Sequence, residues 1–141
     1  MTRAWRFGVA AMALAATSMG CRRPHLCESG VEETPAGPDA VWCKDARNGT
    51  TIYIVTHPGT RQMRQRCQFV HGSLEGPFWA THPDGKPFLE GQYQGGHTQG
   101  KWVQSDEAGK KVAEGDYREG RLVGGAPVAV AAVCESVPAL Q

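Results

Sequence analysis

Cysteine, histidine and carboxylate side chains are where chemistry would start in this sequence, and their spacing argues against most of it. The five cysteines are Cys21, Cys27, Cys43, Cys67 and Cys134. No two stand as C-x-x-C, so a zinc knuckle or a dithiol redox pair is not expected. His57 and His82 both occur in "THP", but no H-E-x-x-H or comparable ligand spacing accompanies them, and no metal site is expected. A Cys–His nucleophile needs a free thiol. Glu90 and Glu114 recur at matched positions on the solvent side of a strand, where paired-carboxylate chemistry would lack the cleft it requires. The expectation is a protein with no catalytic residue, cofactor or metal.

The amino terminus, "MTRAWRFGVAAMALAATSMGC", has the three parts of an export signal. Arg3 and Arg6 form the positive region, and Gly8 to Thr17 an apolar run too short to span a bilayer as a mature helix. "SMGC" resembles a bacterial lipobox. The resemblance covers four residues: Gly20 and Cys21 fit, whereas Ser18 and Met19 depart from the usual pattern, which leaves ordinary signal cleavage as the alternative. It implies cleavage before Cys21 and lipidation there, each buried CH₂ contributing about 0.8 kcal/mol of anchoring. An odd cysteine count in an exported protein calls for a separate fate for one of them, and lipid on Cys21 provides it. Four cysteines remain, with three ways to pair. Cys27–Cys43 with Cys67–Cys134 is favoured, because the first bridge brackets "ESGVEETPAGPDAVW", which has little else to hold it. Loops of these lengths contribute about 3 and about 4 kcal/mol in the chain-entropy picture, in an oxidising compartment. Without residues 1–20 the chain carries 13 basic and 14 acidic residues. It has no basic stripe, so nucleic acid is not an expected partner.

Stepping by 24 residues, the chain repeats itself. "FVHGSLEGPF" (69–78), "YQGGHTQGKW" (93–102) and "YREGRLVGGA" (117–126) align on Phe69, Tyr93 and Tyr117, on Gly72, Gly96 and Gly120, and on Gly76, Gly100 and Gly124. Only the third copy lacks the closing aromatic that Phe78 and Trp102 supply. A period in this range marks stacked supersecondary units. Each unit reads as a β-hairpin: "PFWATH", a "PDGK" turn, then "PFLEGQY", with "TIYIVTHPGT" and "RCQFVHG" as a looser earlier copy carrying an extra residue near its turn. Strand alternation puts Leu89, Gly91 and Tyr93 on one face, with Ala113, Gly115 and Tyr117 equivalent, and Tyr53, Phe78 and Trp102 on the partnering strands. The Cys67, Gly91, Gly115 column precedes the aromatic column by two residues and leaves room for a ring to lie over the backbone. One hairpin cannot bury its aromatic face, but several in a row can.

The Tyr-x-x-Gly-x-x-x-Gly-x-Trp core resembles the MORN repeat family, in the variant found in exported bacterial proteins sometimes labelled antitoxin-like. The resemblance covers about residues 50–124, and the upstream "GPDAVWCKDARNGT" resembles the leader before such repeats in some lipoproteins. It implies an elongated antiparallel sheet of successive hairpins used for attachment, with no shared catalytic residues. Cys67 in place of the glycine and the missing last aromatic are departures that fit end units. The expected fold is all-β: an antiparallel β-meander of about three stacked hairpin repeats in one elongated sheet, preceded by a cleaved signal helix and a disulfide-tied leader. The expected organisation is 1–20 signal peptide, 21–49 leader, 50–124 repeats and 125–141 apolar tail. The tail reads as a strand folded back over the sheet and fastened to Cys67 through Cys134, or as one paired locally at the edge.

With the aromatic columns turned inward, Trp79 is left on the opposite face with Ile54 and Val103. That patch would bind a peptide or a glycan, or lie beneath the leader or tail as a second packed face. The expected function is a membrane-anchored, non-catalytic module, facing the periplasm or cell surface, that holds a protein or an envelope polymer. The rivals are an antitoxin or immunity-type protein, whose gene would neighbour a toxin gene, and a small carbohydrate- or peptide-processing enzyme, which would need a cleft with converging polar groups. A small glycan-binding module is a further alternative.

Overall fold

A computed structural model describes residues 25–129 and Cys134. The signal segment, Cys21, residues 130–133 and residues 135–141 lie outside the described residues. Ten strands follow one another: β1 (Glu32–Gly37), β2 (Ala40–Asp45), β3 (Thr50–Thr56), β4 (Met63–Val70), β5 (Ser73–Leu74), β6 (Gly76–Thr81), β7 (Pro87–Gln94), β8 (His97–Ser105), β9 (Lys111–Arg118) and β10 (Arg121–Gly125). They form one antiparallel meander in the order β1-β2-β3-β4-β6-β7-β8-β9-β10, with β5 paired to β4. The described residues contain no helix. The leader thus contributes the first two strands of the same sheet. Its outer strand carries Pro35, a residue without an N–H and suited to an edge.

Two kinds of turn alternate along the meander. At one end, two-residue connections place both central residues at positive φ: His71 (49°) and Gly72 (82°), Gly95 (58°) and Gly96 (85°), Glu119 (49°) and Gly120 (79°). This is the type I′ geometry, whose twist matches that of the flanking strands. At the other end the loops are longer. The His82 N–H donates to the Lys86 carbonyl and that of Asp106 to the Lys110 carbonyl, both at 2.9 Å. The corresponding bond of the first loop runs from the His57 N–H to the Gln62 carbonyl, one residue further. The extra residue expected near that turn is therefore present.

The register is broken at regular places. Arg64, Phe88 and Val112, again 24 residues apart, each fall where the pairing slips between Val55 and Thr56, Ala80 and Thr81, or Gln104 and Ser105. Such bulges re-aim a side chain, and Phe88 packs against the aromatic core. At the turn-proximal ends Gly76 and Gly100 take positive φ (85° and 71°). In the last unit the positive φ belongs to Gly125 (72°), while Gly124 has none.

Each face of the sheet carries its own core. On one, Cys67, Leu74, Phe78, Ala80, Leu89, Tyr93 and Trp102 are buried together. Register puts Tyr53 opposite Cys67, Phe78 opposite Gly91 and Trp102 opposite Gly115. Trp102 is wholly buried, its ring 5.4 Å from Phe78, 5.3 Å from Tyr93 and 6.4 Å from Tyr117 between centroids. It lies over Gly91, where a Cβ would come 2.1 Å from the ring. Over Gly115, where the third copy supplies no ring, the Ala126 carbonyl and the Leu122 side chain take that space. After β10 the chain turns back across this face. The Ala126 N–H donates to the Glu114 carbonyl (2.8 Å), that of Val128 to the Tyr117 hydroxyl (3.2 Å) and that of Ala129 to Gln104 Oε1 (2.8 Å). Residues 126–129 form no strand, and Cys134 is bonded to Cys67. On the opposite face Cys27, bonded to Cys43, joins Val41 and Ile54 under Leu26 and Val31. Two disulfides belong to an oxidising, extracytoplasmic compartment.

Candidate binding surface

The leader that covers one end of this second face is fastened by the Cys27–Cys43 disulfide and, beside it, by one carboxylate. Glu33 Oε2 accepts from the Leu26 N–H at 2.9 Å, and Oε1 accepts from Arg61 Nη2 at 3.0 Å. Burial alone would raise the Glu33 pKa. The bonds from Arg61 and from the Leu26 and Cys27 amides, together with the Arg61 charge, outweigh it and hold the pKa below the ordinary value. Pinned this way, Leu26–Val31 forms one wall of a groove of about 400 Å³. Arg66, Gln68 and Trp79 line its other side.

Strand pairing explains how these groups meet. A single transverse row runs Val41, Ile54, Arg66, Trp79, Glu90, Val103, Glu114 through successive partners on β2, β3, β4, β6, β7, β8 and β9. The three residues singled out in the sequence, Ile54, Trp79 and Val103, belong to this one row but do not touch as a patch. Ile54 is buried beneath the leader. Arg66 separates it from Trp79, and Glu90 separates Trp79 from Val103. Trp79 and Val103 are half-buried.

Arg66 is the residue that the sequence reading missed. Its guanidinium carbon lies 4.5 Å from the Trp79 ring centroid, a contact of about 0.5–1 kcal/mol at a surface site. Nη1 donates to the Pro77 carbonyl (3.2 Å) and Nη2 to Gln68 Oε1 (2.9 Å). Burial lowers its pKa from the ordinary value, with the charge of Glu28 acting the other way. The cross-strand neighbour at β4 carried the signal, but no local pattern sets how β4 pairs with β6 beyond the intervening β5. At the far end Glu114 accepts from Lys101 (3.0 Å) and Lys111 (2.7 Å). The bonds from Lys111 and Lys101 keep its carboxyl below the usual range. Chemically the row offers a cation stacked on an indole, then an anion, an aliphatic side chain and a second anion.

The histidines and the repeat glycines serve elsewhere. His82 Nε2 lies 2.9 Å from the Ser105 carbonyl and its ring meets Phe88 edge-on at 5.1 Å, while His57 is buried. Phe69 packs on Trp42, 6.0 Å between centroids. Gly72, Gly96 and Gly120 form turns, and Gly91 and Gly115 lie beneath the core. Among the described residues no group of three or more His, Cys, Asp or Glu is placed to hold a metal ion. Comparison with protein-family models, with curated proteins and with solved structures finds no match for this chain.

Proposed function

We propose that this chain is a bacterial lipoprotein, anchored through Cys21, whose body is a MORN-like array of three hairpin repeats, and that it works without catalysis. It holds an extended protein segment or an envelope polymer beside the membrane. The observation that supports this reading is the row from Arg66 to Val103 beside the leader groove: a half-exposed indole with charged neighbours on both sides, on the sheet face that the tail leaves open. A planar or apolar unit of a partner would rest against Trp79, and its polar groups would meet Arg66 and Glu90. The two disulfides, which fit an oxidising, extracytoplasmic compartment, are consistent with this reading.

The test is crosslinking and pull-down from intact cells with wild type, Trp79→Ala and Cys21→Ala, followed by detergent phase partitioning. Wild type should capture a partner that folded Trp79→Ala loses, and Cys21→Ala should move from the detergent phase to the aqueous phase. Equal capture by Trp79→Ala refutes the row as the binding surface. Unchanged partitioning of Cys21→Ala refutes the anchor.

A further inference from the structure

A second cavity lies on the opposite face, beneath the longer loops, and departures from the 24-residue pattern meet there. Its volume is about 380 Å³, the space of about a dozen water molecules and within the range of small-molecule sites. Phe78, Ala80, Phe88 and Leu89 supply apolar walls, and His57, Arg64 and Gln65 also line it.

The matched positions one step along show what is unusual. Where the second copy has Leu89, 2% exposed, the first has Gln65, 5% exposed. A buried amide thus stands where packing would favour an aliphatic side chain, and among the described residues its nitrogen reaches only the Cys67 sulfur at 3.3 Å, a weak acceptor. Where the second copy has Phe88 packed on His82, the first has Arg64, exposed and without an ion pair or side-chain hydrogen bond among the described residues. Where the third has Gln104, which accepts from the Ala129 amide, the second has Ala80, which leaves space. His82 satisfies its Nε2 on the Ser105 carbonyl. Its counterpart His57 is 8% exposed, and its Nε2 is buried with no hydrogen-bond partner among the described residues.

An unpartnered buried imidazole nitrogen is costly unless something completes it. Here a second buried polar group and an unpaired guanidinium line the same apolar cavity. The geometry points to a binding site for a small molecule with an apolar body and a carboxylate head. The body occupies the space between Ala80, Phe88 and Leu89. The head takes the Arg64 guanidinium, which favours planar carboxylates, while His57 Nε2 and the Gln65 amide complete its hydrogen bonds. This site is independent of the Trp79 row on the other face, and either can fail without the other.

The test uses the purified full chain with sodium decanoate, below its micelle concentration, and 1-decanol. Binding is followed by calorimetry and by NMR contacts to Phe88 and Leu89. Decanoate should bind saturably at one site, at least tenfold tighter than decanol. Arg64→Gln, a change at an exposed position, should bring decanoate down to the decanol level. Ala80→Leu, which fills the cavity, should abolish both, and Trp79→Ala should alter neither. Absence of saturable decanoate binding to the wild type overturns the proposal. Decanoate affinity unchanged in folded Arg64→Gln, or NMR contacts on residues away from this cavity, overturns it equally.

Discussion

Replacing Gly91 with alanine adds one methyl group at the most crowded point of the core. That Cβ would lie 2.1, 2.3 and 2.6 Å from Cδ2, Cε2 and Cε3 of Trp102. Ordinary contact begins near 3.4 Å, so the indole must retreat by more than 1 Å. It has nowhere to go, being wholly buried between Phe78, Tyr93 and Tyr117. Overpacking of this kind costs about 1–3 kcal/mol. The opposing gain, from a less flexible unfolded chain, is about 0.4–1 kcal/mol. Gly91 has no positive φ, so backbone strain does not enter and the steric term decides the sign. Gly91→Ala should therefore lower Tm, by about 4 °C for each kcal/mol in a domain of this size, and change the near-ultraviolet dichroism of Trp102. The control is Gly37→Ala, where the backbone is unstrained and no atom lies within 4 Å of the new Cβ. Its Tm should hold or rise. If Gly91→Ala melts with or above Gly37→Ala, the ring does not rest on that glycine and the account of the core is wrong.

Unreduced peptide mapping should recover Cys27 joined to Cys43 and Cys67 joined to Cys134, and removing the second bridge by Cys67→Ser with Cys134→Ser should cost about 4 kcal/mol in chemical denaturation; another pairing contradicts the fold of the tail. Gly96 has φ of 85° in open space, so Gly96→Val should cost about 1–2 kcal/mol through backbone strain alone, while Gly96→Asn should recover much of it. Because the folded state lowers the Glu33 pKa below 4.5, its contribution is complete above that pH and is lost as the pH falls through the lowered value. Tm measured from about pH 5 to pH 3 should therefore fall more steeply in wild type than in Glu33→Gln. The residual slope in that variant belongs to Asp45, Asp84 and Glu114, which the fold also holds low; equal slopes would mean that Glu33 does not pin the leader.

Local chemistry made much of the sheet legible. Alternation placed Phe78, Tyr93 and Trp102 on one face, and "PDGK" marked a turn between β6 and β7, whereas Gly72, Gly96 and Gly120 were legible as a repeat but not as the two-residue turns they form. What escaped depends on register, which long-range pairing sets. A slip of one residue at Ala80 and Thr81 brings Phe88 to the core side, although strict alternation from Leu89 puts it outside. The same kind of slip moves the left-handed glycine from Gly124 to Gly125. At the binding surface the alternation of Trp79 was readable, but its partner Arg66 was not, because no local pattern sets how β4 meets β6. The leader resembled a loop because its apolar residues, Val41, Trp42 and Cys43, are consecutive. A strand buried on both faces has this pattern, and here one side is covered by the leader itself.

The two bridges also decide how the molecule would carry tension. A load entering before Cys27 crosses directly to Cys43, and one leaving beyond Cys134 crosses directly to Cys67. Only the 25 residues from Cys43 to Cys67, which include β3 and most of β4, lie on the mechanical path. Pulled without reductant, the folded body can lengthen by about 80 Å at most. The strands from β6 onward, inside the Cys67–Cys134 loop, keep their shape while the segment between the two bridges gives way.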